Sequence, residues 1–177
     1  MGANGVELAT LSLGLLVARV VIGLVMAAHG AQKLFGWFGG YGLKTTGEFF
    51  VQLGFRPGRA FAAAASVTEI TSGLLVALGF LGPIGPALMI SVMIVAMITV
   101  HWEHGLFAAD NGIEVPLLYV AAAFGLALTG YGTFSLDAWL GLTDRWSPAI
   151  TWIVLGAGAL GGLANAAIRR RPSPPVT

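Results

Sequence analysis

The fold is decided by one apolar stretch that carries three basic side chains, Arg19-Val-Val-Ile-Gly-Leu-Val-Met-Ala-Ala-His29-Gly-Ala-Gln-Lys33-Leu-Phe-Gly-Trp-Phe38. A charged side chain near the centre of a membrane helix costs roughly 3 to 17 kcal/mol, so such a residue normally faces a partner or a wet cavity. We therefore expect any functional site to involve Arg19, His29 or Lys33.

The composition around this stretch is that of an integral membrane protein. Of the 177 residues, 56% are hydrophobic and only 10% are charged, whereas soluble domains carry about 25% charged residues. We expect the lipid bilayer to be the main partner and expect no binding of nucleic acid. Because the sequence has no cysteine, any thiol chemistry linked to this chain must belong to a partner protein.

Five stretches are long and apolar enough to cross a bilayer, which takes about 20 residues per helix. They are residues 8–35, 60–81, 84–102, 115–131 and 149–168. The segment with Phe49, Phe50 and Leu53, and a second one that begins at a Ser135 N-cap, predict short interfacial helices. The predicted fold is an all-α, polytopic membrane helix bundle.

The last stretch contains Gly158 and Gly162 in GxxxG spacing. This spacing permits close helix contact. Either another helix of the chain or a second copy fits, and packing within the chain is the preferred interpretation.

Basic residues are divided unevenly between the two ends of the predicted bundle. With five spans, one end carries Arg145, and the other carries Lys33, Lys44, Arg56, Arg59, Arg169, Arg170 and Arg171. The positive-inside rule then predicts an outside amino terminus and a cytoplasmic carboxyl terminus. Residues 169–177 are expected to form a basic and then disordered tail.

Arg19 and Glu69 are the charged residues deepest in the first two spans. Counted from the span ends, they lie level near the midplane, which predicts an ion pair. Two interpretations stay open: the pair fixes the register of two helices, or it forms a polar site for a quinone headgroup or a proton step.

His29 and Lys33 lie one helical turn apart, and the other two histidines follow the third span in the loop that runs from His101 to Glu114. His101, Glu103 and His104 are weak candidates for metal ligands, since their spacing matches no known signature. We expect instead a polar cluster near His29 whose carboxylates pair with basic residues, namely Lys33, Arg56 or Arg59. Asp110 and Glu114 are expected to face a protein partner.

Four groups of residues together resemble the DoxX family of bacterial membrane proteins, over roughly residues 11–140. They are Arg19, Gly23, His29-Gly30 and Lys33-Leu-Phe35; Glu69, Gly73 and Gly79; the acidic loop from Glu103 to Glu114; and Gly130-Tyr-Gly-Thr-Phe-Ser-Leu-Asp137.

The resemblance implies a four-helix membrane bundle over residues 8–140 in the bacterial cytoplasmic (inner) membrane, with residues 149–168 as an additional helix. It also implies a membrane subunit of a redox-linked complex whose soluble partners on the cytoplasmic side carry thiol, sulfur or superoxide chemistry. A quinone would then bind along a seam of Arg19, His29, Lys33 and Glu69. A non-catalytic scaffold or a small-molecule carrier remains the alternative.

Overall fold

The computed structural model describes residues 3–170, and within them the fold is helical without any β-strand. The helices are α1 (Ala3–Phe35), α2 (Gly42–Gln52), α3 (Gly58–Leu78), α4 (Ile84–Ala96), α5 (Glu114–Thr129), α6 (Leu136–Trp139) and α7 (Pro148–Ala167). This confirms the predicted all-helical fold class.

Five of these helices, α1, α3, α4, α5 and α7, run back and forth between two ends of a bundle. At one end, called the Asp137 end, the α3–α4 turn meets the segment after α5 through Asp137. At the other, called the His101 end, α1 and α4 end and α5 begins. The short helices α2 and α6 lie at the His101 and Asp137 ends, respectively.

Four helical segments are long and apolar enough to span a membrane: Gly5–Phe35, Gly58–Leu78, Ile84–His104 and Pro148–Ala167. The fourth predicted span corresponds to α5, which is apolar but only 16 residues long. The third predicted span, residues 84–102, departs from a regular α-helix because Met97–His101 forms a π-helical turn. Such turns are rare and often occur at functional sites.

The glycines of α1 and α3 allow the two backbones to touch. A Cβ atom on Gly23 would overlap the Gly73 carbonyl, and one on Gly30 would overlap the Ser66 carbonyl. These contacts set the antiparallel register of the two helices, with Arg19 level with Ala77.

The glycines of α7 bring that helix against α4. Gly158 meets the backbone of Ala87, and Gly162 meets that of Ser91. The GxxxG spacing therefore serves packing within the chain, as predicted.

The basic residues follow the predicted division between the ends. Arg145 lies at the Asp137 end, whereas Lys33, Lys44, Arg56, Arg59, Arg169 and Arg170 belong to segments at the His101 end. There the Arg170 amide donates to the Gly54 carbonyl over 2.9 Å, which ties the end of the chain to the α2–α3 connection. Arg171 and the rest of the predicted tail lie outside the described residues.

Candidate functional site

The centre of the bundle holds an ion pair between Lys33 of α1 and Glu69 of α3. The Glu69 side chain is 1% exposed, whereas that of Lys33 is 36% exposed. The acid is thus enclosed by helices, while its partner reaches it from the edge of the bundle. A buried carboxylate needs such a partner because losing hydration without compensation is costly.

The predicted pair between Arg19 and Glu69 is wrong, and the helix register explains why. Arg19 contacts Ala77, which is eight residues beyond Glu69 in α3, or about 12 Å along the axis. Helical side chains also lean toward the amino terminus of their own helix. In antiparallel helices Arg19 and Glu69 therefore lean apart, while Lys33 and Glu69 lean toward each other.

Two further polar rings, His29 and Tyr119, lie beside this pair. Their centroids are 6.2 Å apart with an interplanar angle of 80°, an edge-to-face contact between α1 and α5. Tyr119 thus reaches α1 from α5 through its contact with the His29 ring. We call Lys33, Glu69, His29 and Tyr119 the central cluster.

Three residues of the central cluster reach the surface of the bundle. His29, Lys33 and Tyr119 are all partly exposed, and α1 packs on α3 far more extensively than on α5. The central cluster is thus not fully enclosed by the helices.

Within this cluster, one carboxylate oxygen has no hydrogen-bond partner. Oε1 of Glu69 is paired with Lys33, but Oε2 is buried and unpartnered among residues 5–170. Buried polar atoms are hydrogen-bonded in the great majority of cases, so an exception calls for a reason. An acceptor held in place without a donor is suited to a hydroxyl or protonated oxygen of a bound molecule.

Arg19 takes part in a different structure, at the Asp137 end. Its guanidinium donates to the carbonyls of Ala77 and Phe134, and in the described residues no carboxylate lies within salt-bridge distance of it. The Ala77 carbonyl belongs to the last turn of α3, where the helix dipole favours a cation. Arg19 thereby joins α1, the end of α3 and the segment before α6.

Asp137 organises the same end. Its carboxylate accepts from the amides of Leu81 and Gly82 over 2.9 and 2.7 Å, and from the Trp146 indole over 3.0 Å. The side chain is buried, with 3% exposure. Ser135 caps α6 as predicted by accepting from the Ala138 amide, which places Asp137 in the first turn.

The loop between α4 and α5 does not join the central cluster, contrary to prediction. The His101 ring bonds the Asn111 carbonyl over 2.7 Å, and Glu114 accepts from the Ala108 amide over 2.7 Å. No ion pair links this loop to Lys33, Arg56 or Arg59 within residues 5–170. In the same residues, His101, Glu103 and His104 are not arranged as a metal-binding group.

Sequence reasoning missed two residues of these sites. Tyr119 lies within the fourth predicted span, and no local motif links it to His29. Asp137 was noted only as part of a family signature. A Ser N-cap followed by an acid in the first helical turn was the signal available for it.

Comparison with known proteins gives one family match. A family model described as DoxX matches residues 14–102, which is half of the chain. The matched segment contains Arg19, His29, Lys33 and Glu69, whereas α5, α6 and α7 follow it. No curated protein and no solved structure matches the chain.

Proposed function

The chain belongs to the DoxX family of integral membrane proteins, and on that basis we propose that it is the membrane subunit of a redox-linked complex. In this proposal the subunit binds a quinone at the central cluster. Soluble partners at the His101 end carry thiol, sulfur or superoxide chemistry. The complex lies in the bacterial cytoplasmic membrane, with that end in the cytoplasm.

The unpartnered Oε2 atom of Glu69 is the observation that supports a ligand at this place. A carboxylate with one oxygen held by Lys33 and the other free is oriented before any ligand arrives. A quinone supplies oxidation and reduction by two electrons, with uptake or release of two protons. Its headgroup fits the cluster, since quinone and quinol oxygens accept and donate hydrogen bonds, respectively.

Each residue of the cluster has a separate task in this proposal. Lys33 donates to a headgroup oxygen or holds the Glu69 carboxylate, and Glu69 Oε2 accepts a proton. His29, whose ring lies against Tyr119, provides a further polar group beside the headgroup. Arg19 does not contact the quinone in this proposal, because its guanidinium is bound to the Ala77 and Phe134 carbonyls at the Asp137 end.

The lack of cysteine supports a division of labour between this chain and its partners. A subunit without thiols cannot carry sulfur oxidation itself, but it is able to receive the electrons in the membrane. The exposed Asp110 and the partly exposed Glu114 are proposed to contact the soluble partner.

The test measures quinone bound to the complete chain purified from its native membrane. We expect the wild-type protein to contain extractable quinone and Glu69→Gln or Lys33→Met to lose most of it while remaining folded. The matched control is Glu48→Gln, which changes an exposed acid on α2. Absence of quinone from the wild-type protein, or equal content in all variants, would favour the scaffold or carrier alternative.

A further inference from the structure

A second site lies at the Asp137 end, away from the central cluster. A cavity of about 490 Å³ is bounded by the start of α1, the end of α5 and the start of α7. That volume lies within the range of about 300 to 1,000 Å³ that is typical of small-molecule sites. Two of its walls, α5 and α7, follow the segment matched by the family model.

The cavity opens toward the lipid. Several apolar residues along it are largely exposed on the bundle surface, namely Leu8, Leu11, Leu128 and Trp152. Toward the bundle interior, the lining becomes polar and includes Ser12, Tyr131 and Thr151. An apolar mouth and a polar interior suit a molecule with a hydrocarbon chain and a hydrogen-bonding head.

Thr151 provides the second observation that points to a ligand. It is 6% exposed, and residues 5–170 supply no hydrogen-bond partner for its hydroxyl group. The other buried helical hydroxyls each make a bond: Thr46 to Gly42, Ser66 to Ala62, Ser72 to Glu69, and Ser12 with the Thr133 amide. The Thr151 hydroxyl is thus reachable from the cavity, and its bonding capacity is unused.

The charges around the cavity select the kind of head. Within the described part of the chain, Asp137 is the one charged residue in the lining, and its oxygens already accept three hydrogen bonds. Among residues 5–170, no lysine or arginine lines the cavity to balance a phosphate or carboxylate. The site therefore disfavours anionic lipids, and its hydroxyl groups favour a neutral, hydroxylated head.

We propose that this cavity binds a neutral glycerolipid of the monoacylglycerol class, with the glycerol hydroxyls at Ser12 and Thr151 and the chain toward the lipid-facing mouth. This site is separate from the proposed quinone site at the central cluster. It does not depend on redox activity.

The experiment uses a photoreactive monoacylglycerol and the complete chain in phosphatidylcholine nanodiscs. We expect crosslinks at the start of α1, the end of α5 and the start of α7. Thr151→Val keeps the side-chain shape and removes one hydrogen bond, so labelling should fall about fivefold. Thr68→Val is the control, because this exposed hydroxyl bonds Ala64 on α3, away from the cavity.

A second variant keeps the test valid if Thr151→Val is unstable. Ala127→Phe fills the cavity from α5 and should abolish labelling there. Equal labelling of the wild-type protein and both cavity variants would overturn the proposal. Stronger labelling of the cavity by a photoreactive fatty acid, alkylamine or quinone would also overturn the proposal. Each of these results would show that the cavity prefers a headgroup other than glycerol.

Discussion

Lys33 and Glu69 form an ion pair across α1 and α3, the two helices that pack most extensively in the bundle. The pair is unequal, since the acid is fully enclosed and the base is partly exposed. Removing one partner should therefore not have the same effect as removing the other.

Lys33→Met should destabilise the protein more than Glu69→Gln. The lysine change leaves a carboxylate buried without a counterion, and breaking such a pair costs about 3 to 5 kcal/mol. The double variant Lys33→Met/Glu69→Gln should recover most of that stability because no buried charge remains. Thermal or denaturant unfolding in one detergent measures all three proteins. Additive effects of the single changes would mean that the two residues are not coupled.

Arg19→Lys should lower stability although it keeps the positive charge. A lysine cannot span the two carbonyls that the guanidinium joins, and each hydrogen bond to a charged group is worth about 1.5 to 3 kcal/mol. We expect a loss of about 2 kcal/mol in unfolding measurements. The quinone content per folded molecule should stay unchanged. A selective loss of quinone at full stability would place Arg19 in the ligand site instead.

Asp137→Asn should weaken the Asp137 end. The two carboxylate oxygens accept from three donors, whereas asparagine has only one acceptor oxygen. At least one buried donor therefore loses its partner, which lowers the free energy of unfolding by about 1 to 3 kcal/mol. The melting temperature should fall relative to the wild-type protein. Asp144→Asn serves as the comparison, because this nearby acid is exposed and its change should have little effect.

Gly23→Ala should disrupt the contact between α1 and α3. The added methyl group would overlap the backbone of Gly73 and Ala77, and overpacking of this kind costs about 1 to 3 kcal/mol or more. Gly14→Ala in the same helix should leave stability unchanged or raise it, since nothing lies within 4 Å of the new atom. Similar losses for both variants would contradict this explanation, because alanine has the higher helix propensity at both positions and Gly14→Ala makes no overlap.

The proposed orientation is testable because the chain has no native cysteine. Asp110→Cys and Asp144→Cys introduce exposed thiols at opposite ends of the bundle. A membrane-impermeant maleimide applied to intact cells should label Asp144→Cys, and it should label Asp110→Cys only after permeabilisation. The reverse pattern would place the His101 end outside.

The sequence alone predicted the helical class, the Ser135 cap and, to within a few residues, the ends of the five long helices. Each of these features depends on local composition. The partners of Arg19 and Glu69 could not be predicted in the same way. The register of α1 and α3 is set by glycine contacts between them, and a shift of a few residues changes which charges meet. Tyr119 reaches the central cluster from a distant helix, so no spacing within α1 or α3 indicates it.

The unequal lengths of α1 and α5 have a consequence for the surrounding membrane. At 1.5 Å per residue, the 33 residues of α1 measure about 50 Å and the 16 residues of α5 about 24 Å. The first length exceeds the thickness of a bilayer's hydrocarbon core, about 30 Å, and the second falls short of it. A long helix tilts or thickens the adjacent bilayer, and a short one thins it. We therefore expect the bilayer to be thicker on the α1 side of the protein than on the α5 side.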